Sequence, residues 1–443
     1  MKYRGALSAT KSVKFRAVGL GVGIFLIIVI IASAAHLMGT VISQPLTTAT
    51  PYTEQFHVQE QDYRVEVVAE GLDTPWSMAF SPDGRIFLTE RPGRVRIIQN
   101  GRLINEPIEL RNVSEVVEAG LLGIAIHPDF LDNRYIYIYH SYGAARGLRN
   151  QVSRFTEADN QLSNETVILN NIPGSPIHDG GRIKFGNDGK LYISTGDAGQ
   201  RDRAQDLDYL GGKILRVNPD GTIPRDNPFS GSPVYSLGHR NPQGMDWHPI
   251  TGKLVITEHG PSGELGFAHD EVNLVEAGAN YGWPLVVGSS DDPEYVNPII
   301  HSGTETWAPS GAVFYRSGKI EQFKDKYIIA TLRGQHLRVL GFNEHLENVV
   351  SNEVFFREEY GRIRLVLEGP DGYIYFATSN KDGRGTPITD DDRVLRIVPS
   401  EIPPIKQPTP SVPNMNASAL TIAFDRNIRV QPKSTWVVTM KEK

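Results

Sequence analysis

One short pattern recurs six times along this chain, a tight turn followed at once by five to seven strand-forming residues. The copies stand at Asp83-Gly84 before RIFLTE, Asp132-Asn133 before RYIYIYH, Asp188-Gly189 before KLYIST, Thr251-Gly252 before KLVITE, Lys324-Asp325 before KYIIATL and Asp371-Gly372 before YIYFATS. Gly or Asn at the second turn position supplies the positive φ that a tight hairpin needs, and the β-branched and aromatic residues that follow suit a pleated, half-buried surface. Most copies lead into a second strand with a basic residue among aliphatics: RVRIIQN at 94–100, KILRVNP at 213–219, HLRVLGF at 336–342 and RVLRIVP at 393–399. Successive turns are 47 to 73 residues apart, room for four strands and variable loops. A repeat of that length is one propeller blade.

The sequence therefore predicts an all-β chain, a six-bladed β-propeller over residues 55–400. The alternating strand Tyr63 to Ala69 precedes the first repeat and is expected to complete the last blade, closing the ring and removing its exposed edges. A large β-sandwich would share the short strands and Gly-rich turns; the repeated order of turn, strand and basic strand favours the propeller. With 43 Gly, 29 Pro and 22% charged residues the composition fits a turn-rich folded body. A net charge of -6 offers no basic face able to track a phosphate backbone, so nucleic acid is not an expected partner. The absence of cysteine excludes disulfides, thiolate nucleophiles and Cys-based metal sites.

At the N-terminus Lys2, Arg4, Lys11, Lys14 and Arg16 precede an uncharged apolar run from Ala17 to Met38, and no acidic residue occurs before Glu54. This reads as a segment, 1–45, that is either a transmembrane signal anchor or a signal peptide cleaved after Ala32-Ser33-Ala34. Either way the body is expected to be exported, to the periplasmic or extracellular side. Residues 401–443 begin with a Pro-rich linker and continue as an extension whose role the sequence does not give.

The polar, Gly-rich segments between hairpins should gather at one end of the central channel. In IHDGGRIKFGNDGKLYISTGD, His178 precedes a Gly-Gly pair that would let backbone approach a flat ligand, and its imidazole suits a base near neutral pH. Asp197 would orient that imidazole or cap a turn. SLGHRNPQG offers the Arg240 fork and Asn241, which recognise planar carboxylates or simply solvate a turn. In the stretch 257–284, acidic residues and Gly-Pro carbonyls are hard oxygen ligands of the kind calcium takes, without EF-hand spacing. Arg362 and Arg364 alternate on a strand and so point the same way, as a solvated face or an anion clamp.

The order EAGLLGIAIHPDF, HDGGRIKFGNDGKLYISTGD, GGKILRVNPDGTIP, GHRNPQG, EHGP, DEVNLVEAGANYGWP, WAPSGAVFY and GRIRLVLEGPDG resembles the soluble aldose and glucose dehydrogenases that use pyrroloquinoline quinone (PQQ), the glucose/sorbosone dehydrogenase family. The resemblance spans roughly residues 63–398. It implies an aldose sugar as substrate, PQQ and Ca2+ as cofactors, and an external electron acceptor (quinone, dye or cytochrome). It implies His178 as the general base that takes the sugar hydroxyl proton, with Asp197 fixing its tautomer. Arg240 and Asn241 would lie beside the quinone oxygens, and Thr306, Arg333, Arg362 and Arg364 against the cofactor. It further implies calcium under PQQ on the carbonyls of Gly260 and Pro261, and a second calcium drawing on Glu271 and Tyr281.

Three departures from the family pattern stand out. Glu118 occupies a position where the glucose enzymes carry Gln near the active site, Arg333 replaces a Lys, and the loop after Pro261 is about five residues longer than expected. Two other readings remain at this stage, a calcium-dependent propeller lactonase and a propeller that only binds a ligand.

Overall fold

The computed structural model describes residues 63–145, 147–261 and 268–400. The expectations for 1–45 and for 401–443 lie outside the described residues, and among the described residues no helix is long and apolar enough to cross a membrane.

Six antiparallel sheets account for the described strands. Blade one is Pro75–Phe80, Ile86–Glu90, Arg94–Gln99 and Arg102–Leu103, with Ile108–Glu109 pairing the third strand. Blade two is Leu121–Ile126, Tyr135–Ala144, Gly147–Ala158 and Gln161–Pro173; blade three is Ile183–Phe185, Leu191–Thr195, Lys213–Val217 and Val234–Leu237. Blade four is Pro242–Trp247, Leu254–Glu258, Glu271–Val275 and Ile300–His301; blade five is Pro309–Phe314, Tyr327–Thr331, His336–Phe342 and Val349–Phe355. Blade six takes Ile363–Glu368, Ile374–Thr378 and Val394–Pro399 from the end of the chain and Tyr63–Ala69 from its beginning. The register Tyr63 to Pro399, Val65 to Ile397 and Val67 to Leu395 gives the outer edge of blade six a partner, as expected from the sequence.

First strands of consecutive blades pack on one another in a closed cycle and so line the channel. Each predicted turn joins a first strand to a second. Two of the six differ in detail: Asn133 ends a one-turn helix, Phe130–Asn133, and Arg134 takes the positive φ of 58°, while at the fifth turn Asp325 takes it at 56°. The core is not central. It is divided into six layers, one between each pair of neighbouring blades, as in Leu122, Tyr137 and Tyr139 against Ile183, Leu191 and Leu215, or Met78 and Leu88 against Leu365 and Ala377. Each large side chain so buried contributes about 1.5–3 kcal/mol, and because the layers form a cycle, the blades hold one another in place around the channel.

Candidate active site

The turns between first and second strands all lie at one end of the channel, so the segments entering each first strand and those leaving each second strand meet at the other. Every predicted site residue lies on this second set. Glu118, His178, Arg240, Asn241, Thr306 and Arg362 precede first strands of blades two to six; Asp197, the Gly260-Pro261 pair and Arg333 follow second strands; Arg364 and Glu271 lie in strand residues at that end. Tyr281 belongs to the excursion after Glu271–Val275 and is returned to this end by its amide donating to Leu237 O at 2.9 Å.

His178 and Asp197 meet. Asp197 Oδ1 lies 2.7 Å from His178 Nδ1, and its other contacts are Gly199 N at 2.8 Å to the same oxygen and Trp283 Nε1 at 2.8 Å to Oδ2. A carboxylate only accepts, so Nδ1 carries the proton and Nε2 keeps its lone pair. Burial pushes the Asp197 pKa up, but the His178 contact and the two N–H donors outweigh it, and the group is held below the usual range. The His178 backbone is left-handed, φ 60°, a conformation that a non-glycine residue keeps only when its surroundings impose it. They do so here: the His178 amide donates to Glu118 Oε2 at 3.0 Å, and Glu118 Oε1 accepts from Arg384 Nη1 at 2.8 Å. Burial raises the Glu118 pKa, yet the His178 amide and the Arg384 charge prevail and hold it at about 2.

Gly180, the first of the Gly-Gly pair, packs against the chain itself. A Cβ on Gly180 would meet Ser194 O at 2.6 Å, and one on Gly196 would meet His178 O at 2.0 Å. These glycines let the His178 segment lie directly on the second strand of blade three, which is what brings Asp197 under the imidazole.

At the same end of the channel stands a group of cations. Arg362 Nε donates to Asp382 Oδ2 at 2.8 Å, Arg364 lies 3.7 Å from the same carboxylate, and Arg91 Nη1 reaches Asp382 O at 3.4 Å. Arg240 stacks on Trp283, 5.4 Å from the ring centroid, and donates to His259 O at 3.2 Å. Arg364 Nη1 donates to Gln243 Oε1 at 2.9 Å; burial lowers its pKa to about 10 in spite of Asp382, which leaves it charged at neutral pH. Asn241 Oδ1 accepts from Gly180 N at 3.0 Å, tying the Arg240-Asn241 segment to that of His178. Three buried polar atoms, Asn241 Nδ2, His259 Nε2 and Arg364 Nε, have no hydrogen-bond partner among the described residues. Unpaired donors beside several cations fit a planar polyanion, and PQQ carries three carboxylates. Thr306 and Arg333 sit at the same end by topology, Arg333 exposed, without a described contact to this cluster.

Gly260, Pro261, Glu271 and Tyr281, expected to serve two calcium ions, line a single void of about 10 Å³ together with Glu258. Burial and then the neighbouring Glu258 push the Glu271 pKa up to about 8. Glu258 and Glu271 put two carboxylates, hard oxygen donors of the kind a calcium ion takes, on the lining of this ion-sized void, which Arg240 also lines. Residues 262–267, which include the first part of the lengthened stretch ELGFAH, fall outside the described residues.

Residues 72–390 match the glucose / sorbosone dehydrogenase family. The chain belongs to it. The dehydrogenase is 35% identical to the aldose sugar dehydrogenase YliI of Escherichia coli over 344 residues, 72% of this chain and 91% of that protein. Among solved structures, a putative glucose dehydrogenase of Thermus thermophilus is 45% identical with a TM-score of 0.70, covering 76% of this chain and 100% of that one. The PQQ-bound aldose sugar dehydrogenase of Streptomyces coelicolor is 34% identical with a TM-score of 0.68, covering 76% and 98%. The chain is thus an oxidoreductase of the sugar dehydrogenase class.

Several functional residues of the dehydrogenase escape sequence reasoning. Asp382, which fixes both arginines, and Arg384, which fixes Glu118, come from NKDGRG at 380–385, a stretch that reads as an ordinary turn. His259 lies in EHGP and Gln243 in GHRNPQG; both motifs are conspicuous, but their signal is attached to the neighbouring Gly-Pro and Arg-Asn pairs.

Proposed function

We propose that the dehydrogenase oxidises an aldose with PQQ and calcium, His178 acting as general base, and passes the electrons to an external acceptor on the exported side of a membrane. The observation that carries this reading is that a tautomer-fixed His178 shares one end of the channel with several cations and unpaired buried donors. PQQ, when bound, supplies the two-electron acceptor that takes hydride from the sugar carbon, and calcium supplies a Lewis acid beside it.

The chain's own residues do the rest. Arg362 and Arg364, aimed by Asp382, and Arg240, braced on Trp283, provide positive charge where an anionic ring gains electrons, and because their partners are already in place they need no rearrangement to do so. Asn241 Nδ2 and Arg364 Nε offer the donors for its oxygens. His178 Nε2 takes the hydroxyl proton as the hydride leaves; Asp197 then faces an imidazolium across 2.7 Å and stabilises it. Glu118 holds the His178 amide and its negative charge is matched by Arg384, so the base keeps its position without a net charge being added beside it. Gly260 and Pro261 carbonyls with Glu271 and Glu258 would hold a calcium ion, and Thr306 and Arg333 would complete the cofactor's surroundings.

The test is reconstitution. Purified protein given PQQ and calcium should reduce an artificial dye with one or more members of an aldose panel and not without PQQ. Lactone hydrolysis with no dye reduction at saturating PQQ would instead make the chain a hydrolase on a borrowed scaffold.

A further inference from the structure

The channel has a second chamber at the end away from His178. It is an open-ended cavity of about 660 Å³, lined by the exit ends of the first strands of all six blades. Its lining includes Phe80, Phe185 and Leu367, partly buried side chains that also pack in the layers between blades, together with Arg182 and Ser77.

Arg182 is the feature that needs explaining. It is 9% exposed, donates from Nε to Gln243 O and from Nη1 to Ser77 Oγ, each at 2.8 Å, and lies 4.4 Å over the Trp76 ring. Its Nη2 is buried with no hydrogen-bond partner, and no carboxylate pairs with it among the described residues. The other charges on the lining are spent. Lys184 and Arg316 share the buried carboxylate of Asp246 at 2.5 and 3.1 Å, and Glu368 accepts the Arg316 and Ser317 amides at 2.9 and 2.8 Å. Burial, then the nearby Arg364, bring the Arg182 pKa down to about 9, so at neutral pH it is still a cation. A charge removed from water without a counter-ion is strongly unfavourable, and an orphaned N–H beside it adds to the cost. An anion in the chamber would balance the charge.

The size and walls of the chamber define that anion further. A halide or phosphate would leave most of the volume, and all of its apolar wall, wet. We propose that the chamber is a second binding site, for a small organic monoanion with an apolar body: the carboxylate beside the Arg182 guanidinium, the body against the lining that includes Phe80, Phe185 and Leu367. The site is distinct from the His178 mouth in its residues, since His178, Asp197, Arg240, Asn241 and Arg362 are absent from its lining. It does not rest on the PQQ reading.

Calorimetric titration of the purified protein with benzoate, with and without PQQ, tests it. We expect one saturable benzoate per chain that survives PQQ loading, with benzyl alcohol binding at least tenfold more weakly. Arg182→Met should lower benzoate affinity at least tenfold. Should that variant fail to fold, Leu367→Trp, which fills the chamber from its partly buried rim, should lower it by a similar factor with an unchanged melting temperature. No saturable benzoate binding, equal binding of benzyl alcohol, or binding indifferent to the folded variants would overturn the proposal.

Discussion

Asp197→Asn isolates the orientation of the base from its presence. Asp197 is fully buried and its two oxygens accept three hydrogen bonds, from His178 Nδ1 at 2.7 Å, Gly199 N at 2.8 Å and Trp283 Nε1 at 2.8 Å. An amide has one acceptor oxygen, so at least one of these donors must face an NH2 group. If the amide nitrogen faces His178, the ring can bind it only by shifting its proton to Nε2, which removes the lone pair the sugar hydroxyl needs. If the oxygen faces His178, the Trp283 N–H is left unpaired at a cost of about 1–3 kcal/mol, and the imidazolium loses its full negative partner. Either arrangement removes most of the benefit of general base catalysis, typically 10²- to 10⁴-fold or about 3–5 kcal/mol of barrier. The expected result is a kcat lower by that factor at saturating PQQ and calcium, with a much smaller loss of PQQ affinity, because the Asp197 side chain reaches the cation cluster only through Trp283, which braces Arg240, and not through Asp382. A dye-coupled assay beside a PQQ titration reads both. A variant within threefold of the wild-type rate would refute the assignment of Asp197 as the orienting group.

Replacing Arg240, Arg362 or Arg364 singly by Ala should weaken PQQ binding roughly tenfold to a hundredfold, as expected for a charge-assisted bond of about 1.5–3 kcal/mol, measured by fluorescence quenching. Calcium added to chelator-treated protein should raise its melting temperature, by an amount equivalent to about 2.7 kcal/mol at a hundredfold excess over Kd, and Glu271→Gln should abolish the rise. Burial lowers the His336 pKa to about 4 despite a 2.6 Å contact to Gly334 O. Since the unfolded chain then binds a proton that the folded one does not, stability should fall by about 1.4 kcal/mol per unit as the pH drops from 6.5 towards 4. His336→Gln should flatten that part of the urea-denaturation profile; an unchanged slope would assign the acid loss to other groups.

How much of this could be read from the sequence depends on whether the signal is local. The six turns and their following strands are visible because Asp-Gly and β-branched runs are short-range instructions, and the partner of Tyr63–Ala69 follows from the need to cover an edge. Once the blade phase is known, the end of the channel that carries His178, Arg240 and Arg362 is fixed by topology. What the sequence conceals is pairing between separate loops, within a blade or across blades. Asp382 sits twenty residues from Arg362 and Arg384 sits 266 from Glu118, with no local pattern to mark either pair. Gly180 after His178 shows the converse: its need for close approach was legible, but its partner is the chain's own strand at Ser194–Gly196. Arg182, buried without a counter-charge, reads in sequence as an ordinary basic residue entering a strand.

The most direct test is an anaerobic stopped-flow experiment on PQQ-loaded protein mixed with an aldose bearing hydrogen or deuterium at C1. The account predicts spectral reduction of the cofactor in wild type, slowed by deuterium, and a His178→Gln variant that binds PQQ normally but reduces it at least a hundredfold more slowly. Reduction of PQQ by the variant at the wild-type rate, or no reduction in wild type with any aldose of the panel, would contradict it.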